Sequence, residues 1–225
     1  MLNEKRTIRS FVKRQGRMTP AQERALKNLW PIYGLSIRQG PINFKKIFNR
    51  EVKTILEIGF GMGQSLIEMA VAEPETDFIG IEVHEPGAGA ILNTIDILKL
   101  NNIRLYQEDA IDVLVECIPD KSLDIIQIFF PDPWPKKKHH KRRLIQIEFI
   151  HLLKTKLKLN GIIHLATDWE NYAEHIEEIF SQIPEFKRIK ETDAEYRLIT
   201  KRPKTKFEER GKKLGHTIWD FIYKL

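Results

Sequence analysis

A chain of 225 residues, 42% hydrophobic and 30% charged, suits one α/β domain with a short extension and excludes a disordered or fibrous polymer. Its one cysteine, Cys117, excludes an internal disulfide; it lies in the apolar stretch Val113 to Ile118, reads as a small buried hydrophobe and fits a reducing compartment. The net charge of +6 is uneven: residues 1–50 hold twelve Lys/Arg against Glu4 and Glu23, a basic arm on a mildly acidic body, which is the footprint of a polyanion binder.

No apolar run approaches the roughly 20 residues of a membrane helix. The stretch Met1 to Gln15 is charged throughout and lacks the apolar core of a signal peptide, so a cytoplasmic protein is expected. Residues 1–50 are expected to form a helical extension and residues 51–225 the main domain. In the arm, Thr19-Pro20-Ala-Gln-Glu23 predicts a helix start, with Thr as cap, Pro in the first turn and Glu favouring the dipole. Gly34, Gly40 and Pro41 then mark loops.

From Lys53 the pattern alternates. Strands are predicted at Lys53–Ile58, Asp77–Val83, Ile103–Gln107, Leu123–Phe130 and Gly161–Ala166. Helices are predicted at Gln64–Ala72, Gly87–Leu100, from Asp109 to near Pro119, at Lys141–Leu157 and at Trp169–Ile183. The last 40 residues read as two more strands around a charged loop, the final one Thr217–Tyr223. Leu123–Phe130 is almost continuously apolar, as a strand buried on both faces must be. Such alternation predicts a doubly wound, Rossmann-like, mostly parallel sheet of seven strands with right-handed crossovers. Ligands in these sheets bind beyond the carboxyl ends of the strands, so the residues just after each strand are the candidates.

The first strand runs into Glu57-Ile-Gly59-Phe-Gly61-Met-Gly63, where glycines permit a tight turn and close backbone approach to a ligand. A dinucleotide fingerprint would place its third glycine where Gln64 stands. The observed spacing fits an S-adenosylmethionine site better, since that cofactor has no pyrophosphate for a helix to cradle. Glu82 ends the second strand and can accept both ribose hydroxyls. Asp109, after the third, can accept from the adenine amine or cap its helix.

Asp132 follows the fourth strand between Pro131 and Pro133, which restrict its backbone. The run Lys136-Lys-Lys-His-His-Lys-Arg-Arg143 opens beside it and reads as a phosphate contact. Asp168, after the fifth strand, is either a helix cap or a substrate contact. His84, His139 and His140 lack partners at metal-ligand spacing, so no metal is expected.

These motifs resemble those of the bacterial tRNA (guanine-N7-)-methyltransferases over nearly the whole chain and in the family's order. They are Arg6-Thr-Ile-Arg-Ser-Phe, Arg17-Met-Thr-Pro-Ala-Gln, Leu56-Glu-Ile-Gly-Phe-Gly-Met-Gly, Gly80-Ile-Glu-Val-His, Phe130-Pro-Asp-Pro-Trp-Pro-Lys, Lys141-Arg-Arg, Ala166-Thr-Asp-Trp and Thr205-Lys-Phe-Glu-Glu-Arg-Gly. The resemblance implies S-adenosyl-L-methionine as donor and N7 of a variable-loop guanine, conventionally position 46 of tRNA, as acceptor. It implies a cofactor site at Glu57, Glu82, Asp109 and Asp132, with Asp132 catalytic, which joins the turn glycines Gly59, Gly61 and Gly63 read above as cofactor-binding. It places substrate contacts at Lys136, Asp168, Thr205, Lys206, Phe207 and Glu208, and RNA contacts at Lys138, His139, His140, Lys141, Arg142 and Arg143. The expected partner is tRNA, with neither membrane nor metal, for a monomer or homodimer.

Guanine N7 carries an in-plane lone pair and no proton, so attack on a sulfonium methyl needs no general base. The expected role of Asp132 is to orient the base and stabilise the cation forming on it. Three other readings compete: a methyltransferase for another RNA, a nucleic-acid-binding module on a vestigial core, and a nicotinamide-dependent oxidoreductase. Intact acids at three successive strand ends argue against the second, and Gln64 with the basic run argues against the third.

Overall fold

The computed structural model describes residues 9–11, 17–193, 196, 202–203 and 205–225, apart from the side chains of Lys206, Phe207 and Lys212. The arm supplies helix α1 (Pro20–Tyr33), a two-residue strand β1 (Gly34–Leu35) and a short helix α2 (Phe44–Phe48). The alternating part follows as β2 (Thr54–Ile58), α3 (Gln64–Ala72), β3 (Asp77–Ile81), α4 (Glu85–Ile97), β4 (Ile103–Tyr106), α5 (Ala110–Glu116) and β5 (Leu123–Phe129). It continues with α6 (Ile147–Lys156), β6 (Leu157–Thr167), α7 (Glu170–Ser181), β7 (Lys187–Ile189), α8 (Lys206–Lys213) and β8 (Trp219–Lys224).

Among the described residues these strands form one sheet in the order β1-β4-β3-β2-β5-β6-β8-β7. β1 to β6 pair parallel, while β8 lies antiparallel between β6 and β7. The central strands β2, β3 and β5 are buried almost throughout, as helices on both faces require. One face packs Leu56, Ile79, Ile126 and Ile163 under α5, α6 and α7. The other packs Ile55, Phe78, Ile125 and Phe129 under α1, α3 and α4.

Three expectations need correction. Among the described residues the sheet has eight strands rather than seven, because β1 comes from the arm, with Gly34 opposite Leu105 and Leu35 opposite Tyr106. Gly34 makes a strand there because the Trp30 ring lies 2.3 Å from where a Cβ would sit, so only glycine lets the helix turn straight into the sheet edge. The helix expected from Lys141 starts at Ile147; residues Lys137–Arg142 form a 3-10 helix. The charged C-terminal segment contains α8, whose Glu208 N–H is capped by the Thr205 hydroxyl at 3.1 Å.

The arm is joined tightly to the sheet. Thr19 and Gln22 form a capping box at the start of α1, and Gln22 also donates to the Pro86 carbonyl at 3.0 Å. Gly89 of α4 permits that approach, since a Cβ there would stand 2.8 Å from Gln22. Tyr33, Leu35, Ile42 and Phe48 are all buried in the core.

Candidate active site

The carboxyl ends of β2, β3, β4, β5 and β6 share one edge of the sheet, and each carries a predicted acid. Glu57 belongs to β2 itself, at 2% exposure, and its Oε2 has no hydrogen-bond partner among the described residues. Burial first, and then the neighbouring Glu82 charge, push its carboxyl up to about 8. Glu82 is anchored differently. Its Oε2 accepts from Gly61 N–H at 2.8 Å, and Oε1 accepts from Val83 and His84 N–H at 2.7 and 3.0 Å. These bonds tie the end of β3 to the glycine turn after β2.

Gly59 and Gly61 adopt φ of +80° and +57°, and a Cβ on either would meet nothing within 4 Å. The turn therefore faces open space where a ligand can reach the backbone. Gly63, at φ +80°, has a packing role: a Cβ there would lie 2.4 Å from Ile91 of α4. Asp109 caps α5, with Oδ1 accepting from Ile111 N–H at 3.0 Å. This is one of the two roles its position allowed.

Asp132 is exposed in a turn that is strained on both sides. Phe130 and Trp134 have φ of +52° and +45°, which bulky residues avoid unless their surroundings impose it. The Phe130 N–H donates to the Ala166 carbonyl at 2.8 Å, holding one side of the turn to β6. Trp134 donates from Nε1 to the Ser10 carbonyl at 2.9 Å, and the Arg142 guanidinium lies 4.3 Å from its ring. Strain of this kind, over-determined by its neighbours, holds Asp132 at the end of β5.

The basic run divides. Lys136, Lys137, Lys138 and Lys141 are exposed, and His139, His140 and Arg142 are half-buried. Arg143, expected as an RNA contact, is buried at 3% exposure. Its guanidinium donates to the Pro133 carbonyl at 3.0 Å and to the Asn171 carbonyl and Oδ1 at 3.2 and 2.8 Å, and lies over the Tyr172 ring. It braces the Pro133 side of the turn.

Asp168 is not a helix cap, since Trp169 occupies the cap position of α7. Its Oδ2 lies 3.5 Å from His216 Nδ1, and a Cβ on Gly211 of α8 would stand 3.0 Å from it. Asp168 thus faces the α8 segment. Thr205 caps that helix, while the Lys206 and Phe207 side chains lie outside the described residues. Glu208, expected as a substrate contact, has 7% of its side chain exposed and pairs with Arg202 at 2.5 Å. Arg202, His164 and Asp220 around it were not read as functional from the sequence. A histidine inside the apolar strand Ile162-Ile-His-Leu-Ala166 was the one available signal.

Among the described residues no group of three or more His, Cys, Asp or Glu could hold a metal ion, and no helix is long and apolar enough to cross a membrane.

A family model described as a putative methyltransferase matches residues 51–221. Solved structures share the fold. An aminoglycoside resistance methyltransferase is 15% identical with a TM-score of 0.55, covering 84% of this chain and 93% of its own. A 30S ribosomal A1408 methyltransferase from an uncultured bacterium is 17% identical with a TM-score of 0.51, covering 84% and 94%. The chain shares the fold of these methyltransferases, and the family model that covers most of it is that of a putative methyltransferase. The tRNA (guanine-N(7)-)-methyltransferase of Idiomarina loihiensis is 52% identical over 97% of this chain and 89% of its own. Those of Shewanella amazonensis and Salmonella typhimurium are 51% and 50% identical over 97% of this chain and 92% and 91% of theirs. The chain belongs to this tRNA (guanine-N(7)-)-methyltransferase family.

Proposed function

We propose that the protein methylates N7 of a guanine in the variable loop of tRNA, at conventional position 46, using S-adenosyl-L-methionine. The observation that carries this reading is the strained turn holding Asp132 at the end of β5, beside the glycine turn and the exposed basic run. The residues present fit the cofactor. Glu57 has a buried carboxylate oxygen without a partner, and the space before Gly59 and Gly61 is open. Glu57, Gly59, Gly61, Gly63, Glu82, Asp109 and Asp132 would hold it. When bound, it supplies an electrophilic sulfonium methyl.

The chain's own residues then position and stabilise. Guanine N7 attacks through its lone pair, so no side chain has to take a proton. Positive charge moves onto the purine as the methyl transfers, and the Asp132 carboxylate stabilises it there. The same carboxylate can accept from N1–H and the 2-amino group of guanine, a pair that adenine does not offer. Lys136 and Asp168 approach the substrate from neighbouring loops, and Thr205, Lys206, Phe207 and Glu208 set the segment beside them. Lys138, His139, His140, Lys141 and Arg142 attract the phosphate backbone. The arm, residues 1–50, adds to that attraction.

The test is methylation of unmodified tRNA with labelled cofactor, followed by nucleoside analysis. The expected product is 7-methylguanosine; another methylated nucleoside, or none, rejects the reading. Asp132→Asn should keep the fold and tRNA affinity but lose turnover by about 100-fold or more, the scale for one electrostatic stabiliser. Single-turnover rates near wild type would remove Asp132 from the mechanism.

A further inference from the structure

Glu57, Gln127 and His164 sit side by side on three adjacent strands, Glu57 opposite Gln127 and Gln127 opposite His164, all on the face covered by α1, α3 and α4. All three are buried. Asp220, on the neighbouring strand β8, continues this polar row and is bonded by His164 Nε2 at 2.9 Å. Apolar sheet faces rarely tolerate such a row, because each polar group loses its water. The row ends on a buried cation.

That end is Arg202. Its guanidinium donates from Nε to Asp220 Oδ1 at 2.7 Å and from Nη2 to Oδ2 at 2.8 Å, a two-pronged grip on one carboxylate. Its Nη1 donates to Glu208 Oε2 at 2.5 Å. Its side chain is 6% exposed, and the guanidinium lies 5.5 and 5.6 Å from the Phe129 and Phe130 ring centres. One planar cation thus touches the end of β5, immediately before Asp132, and the first turn of α8, with β8 and β6 behind it. Glu208 lies in the helix that also sets Gly211 against Asp168.

We propose that Arg202 is a positioning residue for methyl transfer: braced by Asp220 and His164, it fixes the α8 segment relative to the Asp132 turn, and Glu208 acts through it. This role rests on the function proposed above. Lysine can keep the charge but not the two-pronged grip together with the Glu208 contact. The effect of losing the contact therefore belongs in turnover rather than cofactor binding.

The experiment uses the full chain, unmodified tRNA and S-adenosylmethionine, with Arg202→Lys, Glu208→Gln and the double variant. Each single change should lower kcat about tenfold or more, with cofactor affinity by calorimetry within about twofold of wild type and KM for tRNA little changed. Because both break one contact, the double variant should be no slower than the slower single. Two further changes keep the idea testable if Arg202→Lys does not fold. His164→Leu should lower kcat several-fold, and His164→Gln, which retains a donor toward Asp220, should restore most of it. Unchanged kcat in the single variants, multiplicative losses in the double, or a kcat loss matched by an equal loss of cofactor affinity overturns the role. A wild-type chain that does not form 7-methylguanosine overturns the underlying reading and this role with it. A wild type active at N7 with unaffected variants overturns the role alone.

Discussion

Two sets of charges flank the same strand ends and do different work. The basic run, Lys136 to Arg142, follows the turn after Asp132 and keeps much of its water, its lysines exposed and His139, His140 and Arg142 half-buried. The buried set, Glu57, Arg143, Arg202 and Asp220, has lost most of its water; Arg143, Arg202 and Asp220 are held by specific partners inside the fold, and Glu57 answers to burial by keeping its proton. An exposed cation acts at a distance and is screened by salt, and its neighbours hardly constrain it. A buried one has to be matched donor for acceptor, so it transmits geometry. Arg142 and Arg143 are adjacent in sequence and fall on opposite sides of this division. The comparison can be broken or sharpened by three measurements of stability, taken from the largest expected change to the smallest.

Glu57 should show the largest effect, and it should depend on pH. Burial and Glu82 raise its carboxyl from the ordinary 4.5 to about 8. The folded chain therefore holds a proton between those values that the unfolded chain has released. Stability from this group is complete below the unfolded value, falls as pH rises through the window, and levels off above about 8. Glu57→Gln removes the loss, so the variant should match wild type near pH 4 and gain on it steadily up to pH 8, by up to about 5 kcal/mol. Burial lowers the buried His164 and the half-buried His175 from the ordinary range, and these contribute an opposite slope at acid pH. They are common to both proteins and cancel in the difference. Parallel denaturant-unfolding curves from pH 5 to 8 would place Glu57 with the exposed, freely ionising groups and break the comparison at its strongest point.

Arg143→Met comes next. It leaves the Pro133 carbonyl and the Asn171 oxygens without their donor in a site 3% exposed. Losing these charge-assisted bonds to part-buried acceptors, with the contact to the Tyr172 ring, should cost about 1.5–3 kcal/mol, seen as a lower midpoint in urea. The salt dependence of tRNA binding should stay unchanged under conditions where the variant is folded. A normal midpoint with a weaker salt slope would mean that Arg143 belongs with the exposed run after all.

Much of this division was hidden in the sequence for identifiable reasons. The acids at Glu57, Glu82, Asp109, Asp132 and Asp168 could be read because each lies at or just after the end of an apolar strand, and parallel topology brings those ends to one edge. Nothing local distinguishes Arg143 from the cations before it; its partners come from the turn at Pro133 and from Asn171 on α7. The Arg202 cluster joins residues 18 and 56 positions apart, beyond the reach of periodicity. Helix α8 had a signal, the Thr205-Lys-Phe-Glu208 cap pattern, but in a segment whose many charges read as a loop. Strand β1 is two residues long, too short for any alternation to show, and depends on Gly34 meeting Trp30.

The smallest change in stability should come from the run itself, and here the expected effect lies in binding. Lys138 and Lys141 are exposed, so replacing them with Gln should move stability by no more than about 0.5 kcal/mol, the usual surface value. Arg142 is half-buried and stacks 4.3 Å from the Trp134 ring centre, so Arg142→Gln adds a loss of about 0.5–1 kcal/mol. Calorimetric affinity for free S-adenosylmethionine should be unaltered, because none of the three side chains belongs to the glycine turn or its acids. For tRNA the three cations act through counterion release, at about 0.7–0.9 in the salt slope for each phosphate neutralised. Their joint removal should therefore flatten a plot of log affinity against log salt by about 2–3, with the largest loss of affinity at low salt. A slope unchanged within error would show that the run is a solvated surface, and the electrostatic attraction for RNA would then fall to the cations of the arm. A large drop in the unfolding midpoint would be the more damaging result, because it would erase the distinction between the lysines that face water and the arginine that braces the turn.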